Sequence, residues 1–223
     1  MKIGIFGGTF NPIHLAHLYI AEEVRETLEL DEVIFVPAAV PPHKEVEFGV
    51  SAEHRLKMVE LAIADNPAFK VSDVELKLPT PSYSVKTVEH FQELYGKTAK
   101  LFFITGMDTF IEIGTWHDVD RLMGMCDFVT TFRPGIKHFD LSGHRFTRTI
   151  DMVMLEMLDA KERKLGKCMM SSGRDLYLVS TFGMEISSTE IRKRLHDRKS
   201  VKYLLPADVE SYIIRNGLYK KAV

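Results

Sequence analysis

Disulfides and thiolate metal clamps are the first things this chain lacks. Its 223 residues include two cysteines, Cys126 and Cys168, far apart and in no Cys-x-x-Cys pair. That excludes a cystine framework and predicts free thiols in a reducing, cytoplasmic setting. Charge of one sign is missing too. Lys and Arg number 29 against 31 Asp and Glu, a net charge of −2, so no nucleic-acid or anionic-membrane partner is expected. No apolar run is long enough to span a bilayer. Met1 leads straight into a strand-like run, so no signal peptide is expected. Tryptophan occurs once, as Trp116. There is no internal repeat and no low-complexity stretch. What remains is 45% apolar residues in a length that suits one large α/β domain, the profile of a soluble enzyme.

The most informative stretch is Gly7-Gly8-Thr9-Phe10-Asn11-Pro12-Ile13-His14-Leu15-Ala16-His17. It follows the apolar run Ile3 to Phe6 and precedes Leu18 to Leu28, where Ile20, Val24 and Leu28 recur at helical spacing. The pattern is strand, turn, helix. Glycines let backbone approach a ligand closely, and the unpaired N–H groups of a helix start favour phosphate. His14 and His17, three apart, project from one side of the first turn. A Walker loop would need a Gly-Lys-Ser/Thr ending, and the dinucleotide Gly-x-Gly-x-x-Gly is also missing here. A zincin helix wants His-Glu-x-x-His, whereas this chain has His14-Leu15-Ala16-His17, so no metal site is assigned. A tight turn into an ordinary helix is the bland alternative.

A second stretch bears on that choice: Ile186-Ser187-Ser188-Thr189-Glu190-Ile191-Arg192-Lys193-Arg194-Leu195. Ser187 or Ser188 is a natural N-cap, and Ile191 and Leu195 face one side. As structure this is a well-capped helix. As chemistry, hydroxyls and N–H groups meet at a dipole-positive end, with Arg192 one turn in to add a bidentate phosphate contact. Two such helix starts can grip a polyphosphate from both ends.

Together these motifs resemble the nucleotidyltransferase superfamily with a His-x-Gly-His motif, and more narrowly the bacterial nicotinate-nucleotide adenylyltransferases. Further matches run in order: Pro41-Pro42-His43-Lys44, Pro81-Ser82-Tyr83-Ser84, Gly106-x-Asp108, Trp116-His117, Arg133-Pro134-Gly135 and Tyr203-Leu204-Leu205-Pro206. The chain departs from the pattern at Ala16, where the motif usually has Gly, and at about 136–175, where the matches run out. Ala is tolerated, and is the better helix former, if φ is negative there.

The resemblance implies a Rossmann-like parallel sheet with helices on both faces, in a single nucleotidyltransferase domain over 1–223 with an added segment at about 136–175. It implies transfer of the AMP moiety of ATP to nicotinate mononucleotide, giving deamido-NAD and pyrophosphate. Transfer to nicotinamide mononucleotide or phosphopantetheine is the nearest rival, and a non-catalytic nucleotide sensor is the rival of a different class. His14, His17 and Arg192 are the expected catalytic residues. Gly7, Gly8, Thr9, Phe10, Asn11, Gly106, Asp108, Arg133, Ser187, Ser188 and Thr189 are expected around ATP. Lys44, Tyr83, Ser84, Trp116 and His117 are expected around the mononucleotide, with Trp116 stacking on the pyridine ring. Mg²⁺ is expected to arrive with ATP, held by phosphate oxygens and water. Each residue has a bland alternative: Asp108 as a helix cap, Trp116 as core, Tyr83 and Ser84 as a turn and cap, Lys44 as solvated.

The remaining sequence alternates strand and helix. Strand-like runs are 2–6, 32–37, 70–74, 100–105, 127–132 and 176–181; helical patterns include 17–28, 52–64, 85–95 and 207–216. Alternation of this kind predicts a parallel sheet with its ligand site at the carboxyl ends of the strands. Within the unmatched segment, Ile150, Val153, Met154, Met157 and Leu158 follow a helical stripe. It covers one end of the domain, or forms a homodimer contact, or serves as a lid.

Overall fold

The computed structural model describes residues 1–40, 49–131, 135–148 and 150–220. Strands β1 (Lys2–Gly8), β2 (Glu32–Pro37), β3 (Phe69–Val71), β4 (Lys100–Gly106), β5 (Asp127–Thr131), β6 (Leu165–Met169) and β7 (Asp175–Val179) form one sheet in the order β3-β2-β1-β4-β5-β7-β6. Every pairing is parallel except that of β6 with β7. The helices are α1 (Leu15–Leu28), α2 (Ala52–Ala62), α3 (Val74–Lys77), α4 (Ser84–Tyr95), α5 (Met107–Ile111), α6 (Val119–Met125), α7 (Met152–Asp159), α8 (Ser188–His196) and α9 (Ala207–Arg215).

The strands read as near-continuous apolar runs because both faces of the sheet are covered. Alternate residues enter two separate cores. Ile3, Ile5, Leu101 and Phe103 point to the face packed by Val88 and Phe91 of α4 and Leu122 of α6. Val33, Phe35, Phe102 and Ile104 point to the other, packed by Val24 of α1, Met58 of α2 and Ile213 of α9. Gly4 lets that second layer pack closely, since a β-carbon there would sit 2.9 Å from Ile104 Cδ1 and 3.0 Å from Leu30 Cδ1.

β1 pairs with β2 on one side and β4 on the other. Chain order reverses between them, which makes the carboxyl ends of β1 and β4 the switch point of the sheet. Gly7 and Gly8 end β1, and Thr105 and Gly106 end β4.

Three expectations need correcting. The run 70–74 is not one strand: β3 ends at Val71, the Ser72 hydroxyl accepts from Val74 N–H at 3.3 Å, and Val74 opens the short α3. The sheet is not wholly parallel, because β6 folds back on β7 as a hairpin. The stripe at 150–158 is also rephased. α7 begins at Met152, with the Asp151 carboxylate accepting from the N–H groups of Val153 and Met154. Met154, Leu155 and Leu158 are buried, whereas Val153 is 62% exposed. Met154 and Leu158 close over Gly166 of β6, where a β-carbon would lie 2.7 Å from Leu158 Cδ1 and 3.0 Å from Met154 Sδ. The buried side of this stripe packs on the chain's own edge strand.

Candidate active site

A cavity of about 960 Å³ opens at the β1/β4 switch point. Its lining brings together Gly7, Gly8, Thr9, Phe10, Asn11, His14 and His17 with Gly106, Asp108, Ser187, Ser188, Thr189 and Arg192. Tyr83, Ser84, Trp116 and His117 line the same space. Of the residues expected from sequence, Lys44 and Arg133 lie outside the described residues.

The two motifs meet directly. Arg192 Nη1 donates to the Asn11 carbonyl at 2.8 Å, and Ser188 Oγ donates to the Pro12 carbonyl at 2.9 Å. Ser187 is the N-cap of α8, its hydroxyl accepting from Glu190 N–H at 3.2 Å, so Ser188 is released to hold the glycine loop. Arg192 Nη2 donates to Thr189 Oγ1 at 3.2 Å. α1 is anchored in turn by Leu15 N–H donating to the Leu204 carbonyl at 3.1 Å. The helix starts of α1 and α8 are therefore locked on one cavity, with their dipole-positive ends converging.

His14 caps α1 in an extended conformation. Its backbone N–H donates to His17 Nδ1 at 3.2 Å. A nitrogen that accepts carries no proton, so this bond assigns the His17 proton to Nε2. The two imidazoles stack with centroids 3.7 Å apart, and His17 meets Phe10 edge-on at 5.2 Å. Phe10 adopts φ 46° and lays its ring on Gly8, where a β-carbon would stand 3.0 Å from Cζ. Ala16 sits inside α1, outside the positive-φ residues, and is among the residues that line the cavity. The helix accommodates it as expected.

On the β4 side, Gly106 is the N-cap of α5, and the Asp108 carboxylate folds over it. Asp108 lies within the first turn, so the helix-cap alternative does not hold. Trp116 is half-buried, meets Phe103 edge-on at 5.9 Å, and lines the cavity. Tyr83 stacks on His117 at 4.1 Å. Tyr83 is also the N-cap of α4 by position, without a side-chain cap bond, and Ser84 is its first helical residue.

Three residues were missed. Arg55, only 1% exposed, donates from Nη1 to the Thr9 carbonyl at 2.7 Å and from Nη2 to the Ala39 carbonyl at 3.0 Å. Its place on the apolar stripe Arg55, Met58, Val59, Ala62 of α2 was the available signal. Glu75 lines the cavity and accepts from the Thr87 hydroxyl at 2.6 Å; burial pushes its carboxyl above the usual range. Tyr219 is buried, and its hydroxyl donates to Asn11 Oδ1 at 2.7 Å. Burial raises its pKa against the opposing pull of Arg192 and Arg55.

Residues 5–194 match the Cytidylyltransferase-like family. The chain belongs to that family. A protein of Geotalea daltonii named "Probable nicotinate-nucleotide adenylyltransferase" is 43% identical over 219 residues, 98% of each chain. One of the same name from Thermoanaerobacter sp. is 41% identical over 221 residues, 99% of this chain and 95% of that one. An alignment of that extent takes in the 136–175 stretch. Among solved structures, the Plasmodium falciparum nicotinic acid mononucleotide adenylyltransferase complexed with NaAD superposes with a TM-score of 0.70 at 20% identity, covering 98% of this chain and 97% of that one. At that identity the likeness speaks for the fold. In this cytidylyltransferase-like chain, the described residues contain no group of three His, Cys, Asp or Glu that would hold a metal ion.

Proposed function

We propose that the chain transfers the adenylyl group of ATP to nicotinate mononucleotide, releasing pyrophosphate and giving deamido-NAD. The observation that carries this reading is the pair of bonds Arg192–Asn11 and Ser188–Pro12, which fix two helix starts and two histidines around one cavity. The full-length likeness to proteins named for this reaction supplies the substrate.

Both substrates are polyanions, so the site must first offset their repulsion. In the reaction a 5′-phosphate oxygen of the mononucleotide attacks the α-phosphorus, and the bond from that phosphorus to the pyrophosphate oxygen breaks. The nucleophile is already an anion, and no strong general base is needed. Positioning and electrostatics supply the rate. His14 and His17 act as donors to the phosphates rather than as bases. Ser188, Thr189 and Arg192 hold the β- and γ-phosphates, and Asp108 accepts from the ribose hydroxyls. Trp116, Tyr83 and His117 form the aromatic side for the pyridine ring. Mg²⁺ is read as part of the ATP substrate, held by phosphate oxygens and water. We read the chain as one nucleotidyltransferase domain acting in the cytoplasm, in keeping with two free, buried cysteines. No helix among the described residues is long and apolar enough to cross a membrane.

The test is pyrophosphate release from ATP with each acceptor in turn. Nicotinate mononucleotide should exceed the amide by at least about tenfold in kcat/KM, or about 1.4 kcal/mol. Turnover with phosphopantetheine alone would overturn the assignment, and no turnover with any acceptor would favour a sensor.

A further inference from the structure

The glycine loop is held from behind by two residues that do not line the cavity. Arg55 reaches the Thr9 carbonyl from α2, and Tyr219, from the segment after α9, reaches the Asn11 side chain. Thr9 and Asn11 line the cavity; Arg55 and Tyr219 do not.

Peptide geometry gives these contacts a direction. In a trans peptide the carbonyl of one residue and the N–H of the next point opposite ways. Drawing the Thr9 carbonyl back onto Arg55 turns the Phe10 N–H away from Arg55, toward the cavity side of the loop. The positive φ of Phe10 is a conformation non-glycine residues rarely adopt, and it persists only when its surroundings impose it. Arg55 imposes it from one side and the Phe10 ring packed on Gly8 from the other. Arg55 also holds the Ala39 carbonyl, so one planar fork ties the ends of β1 and β2 together. A lysine, a point donor on a flexible stem, does not reproduce that fork. The Tyr219 hydroxyl fixes which way the Asn11 amide is turned, because it donates to Oδ1 and the NH₂ group must then face elsewhere. Arg192 completes the arrangement by drawing in the Asn11 backbone carbonyl.

We propose that Arg55 and Tyr219 are positioning residues that preorganise the phosphate-binding loop from outside the cavity, Arg55 through Thr9 and Tyr219 through Asn11. This inference rests on the adenylyl-transfer reading above. Donors held in place before the reaction need no reorganisation as charge develops. Loosening them should therefore reduce turnover and pyrophosphate affinity while sparing the mononucleotide.

The experiment uses the full chain and measures pyrophosphate release from ATP and nicotinate mononucleotide, wild type first. An inert wild type would remove the functional reading itself; an active one isolates this inference. Tyr219→Phe keeps the ring and deletes the hydroxyl. It is expected to lower kcat about tenfold, to weaken inhibition by added pyrophosphate about tenfold, and to leave the mononucleotide KM within about twofold. In an Asn11→Ala background the same change should alter kcat by less than about twofold, because the partner through which it acts is gone. Arg55→Lys should repeat the kcat loss with the mononucleotide KM again unchanged. The proposal is overturned if Tyr219→Phe costs the same in both backgrounds. It is overturned equally if Tyr219→Phe and Arg55→Lys lower the melting temperature yet retain wild-type kcat and pyrophosphate inhibition.

Discussion

The carboxylate of Asp108 occupies the space in front of Gly106, with Oδ1 2.5 Å from where a β-carbon on Gly106 would stand. No backbone strain is involved, since Gly106 has φ −72°. The glycine is there to admit its neighbour's side chain. Gly106→Ala should therefore fold normally and displace Asp108. The ATP KM should rise about tenfold, the equivalent of about 1.4 kcal/mol, with a smaller change for the mononucleotide. A variant with wild-type ATP affinity would show that Asp108 does not touch the nucleotide.

The histidine pair makes a sharper claim on the chemistry. His17→Ala should lower kcat by about 10²-fold, the scale of one lost donor to developing charge, and His14→Ala should behave similarly. Circular dichroism should report a folded chain in both cases, because both side chains line the cavity. Folded variants with near-normal turnover would dismiss the pair from the active site.

Trp116 stands between core and cavity, so its removal should register in two measurements. Trp116→Ala should raise the mononucleotide KM several-fold more than the ATP KM, since ring stacking contributes about 0.5–1.5 kcal/mol beyond area burial. It should also lower the melting temperature, through the lost contact with Phe103. Trp116→Phe should recover much of both. Selective loss of ATP affinity instead would place the ring on the wrong substrate.

α7 offers a test of packing alone. Met154→Glu buries a charge against β6 and should cost several kcal/mol or prevent folding. Val153→Glu, one residue away on the exposed side, should stay within about 0.5 kcal/mol of wild type. Denaturant melts of the two variants decide it. A tolerant Met154 and an intolerant Val153 would reverse the orientation of the helix.

Glu75 links stability to pH. Burial raises its carboxyl in the folded state, so its ionisation is harder folded than unfolded. Below its unfolded pKa the group is protonated in both states and imposes no penalty. As pH rises through the folded pKa, the buried charge progressively destabilises the protein. Glu75→Gln keeps an oxygen to accept from Thr87 and cannot ionise. Its melting temperature relative to wild type should therefore be higher at pH 8 than at pH 4. An equal difference at both values would show that the Glu75 charge is not penalised.

Much of this was legible because strand and helix leave different periods in a sequence. β2 was expected at Glu32–Pro37 and stands there, a β-branched and aromatic run closed by proline. β6 was not seen, because glycine occupies one of its two buried positions, Gly166 beside Cys168, and glycine writes no apolar signal. The site motifs announced themselves through glycine, hydroxyl and histidine at fixed spacing. Arg55 and Tyr219 did not, because what defines them is the carbonyl or amide each one reaches. Only the helical phase of Arg55 with Met58 and Val59 hinted at burial. Glu75, on a four-residue helix, had no periodicity to betray it.

The bond from Arg192 to Asn11 spans 181 residues of chain, and that from Tyr219 spans 208. Contacts so distant in sequence are made only after the intervening chain has lost most of its freedom, and the entropy of closing that loop must be met first. Catalytic competence is consequently a late event in the life of each molecule. During refolding, the far-ultraviolet signal of helices and sheet should recover before pyrophosphate release does. A chain stalled with its sheet complete but α8 undocked would be compact, protease-resistant over much of its length, and unable to spend ATP.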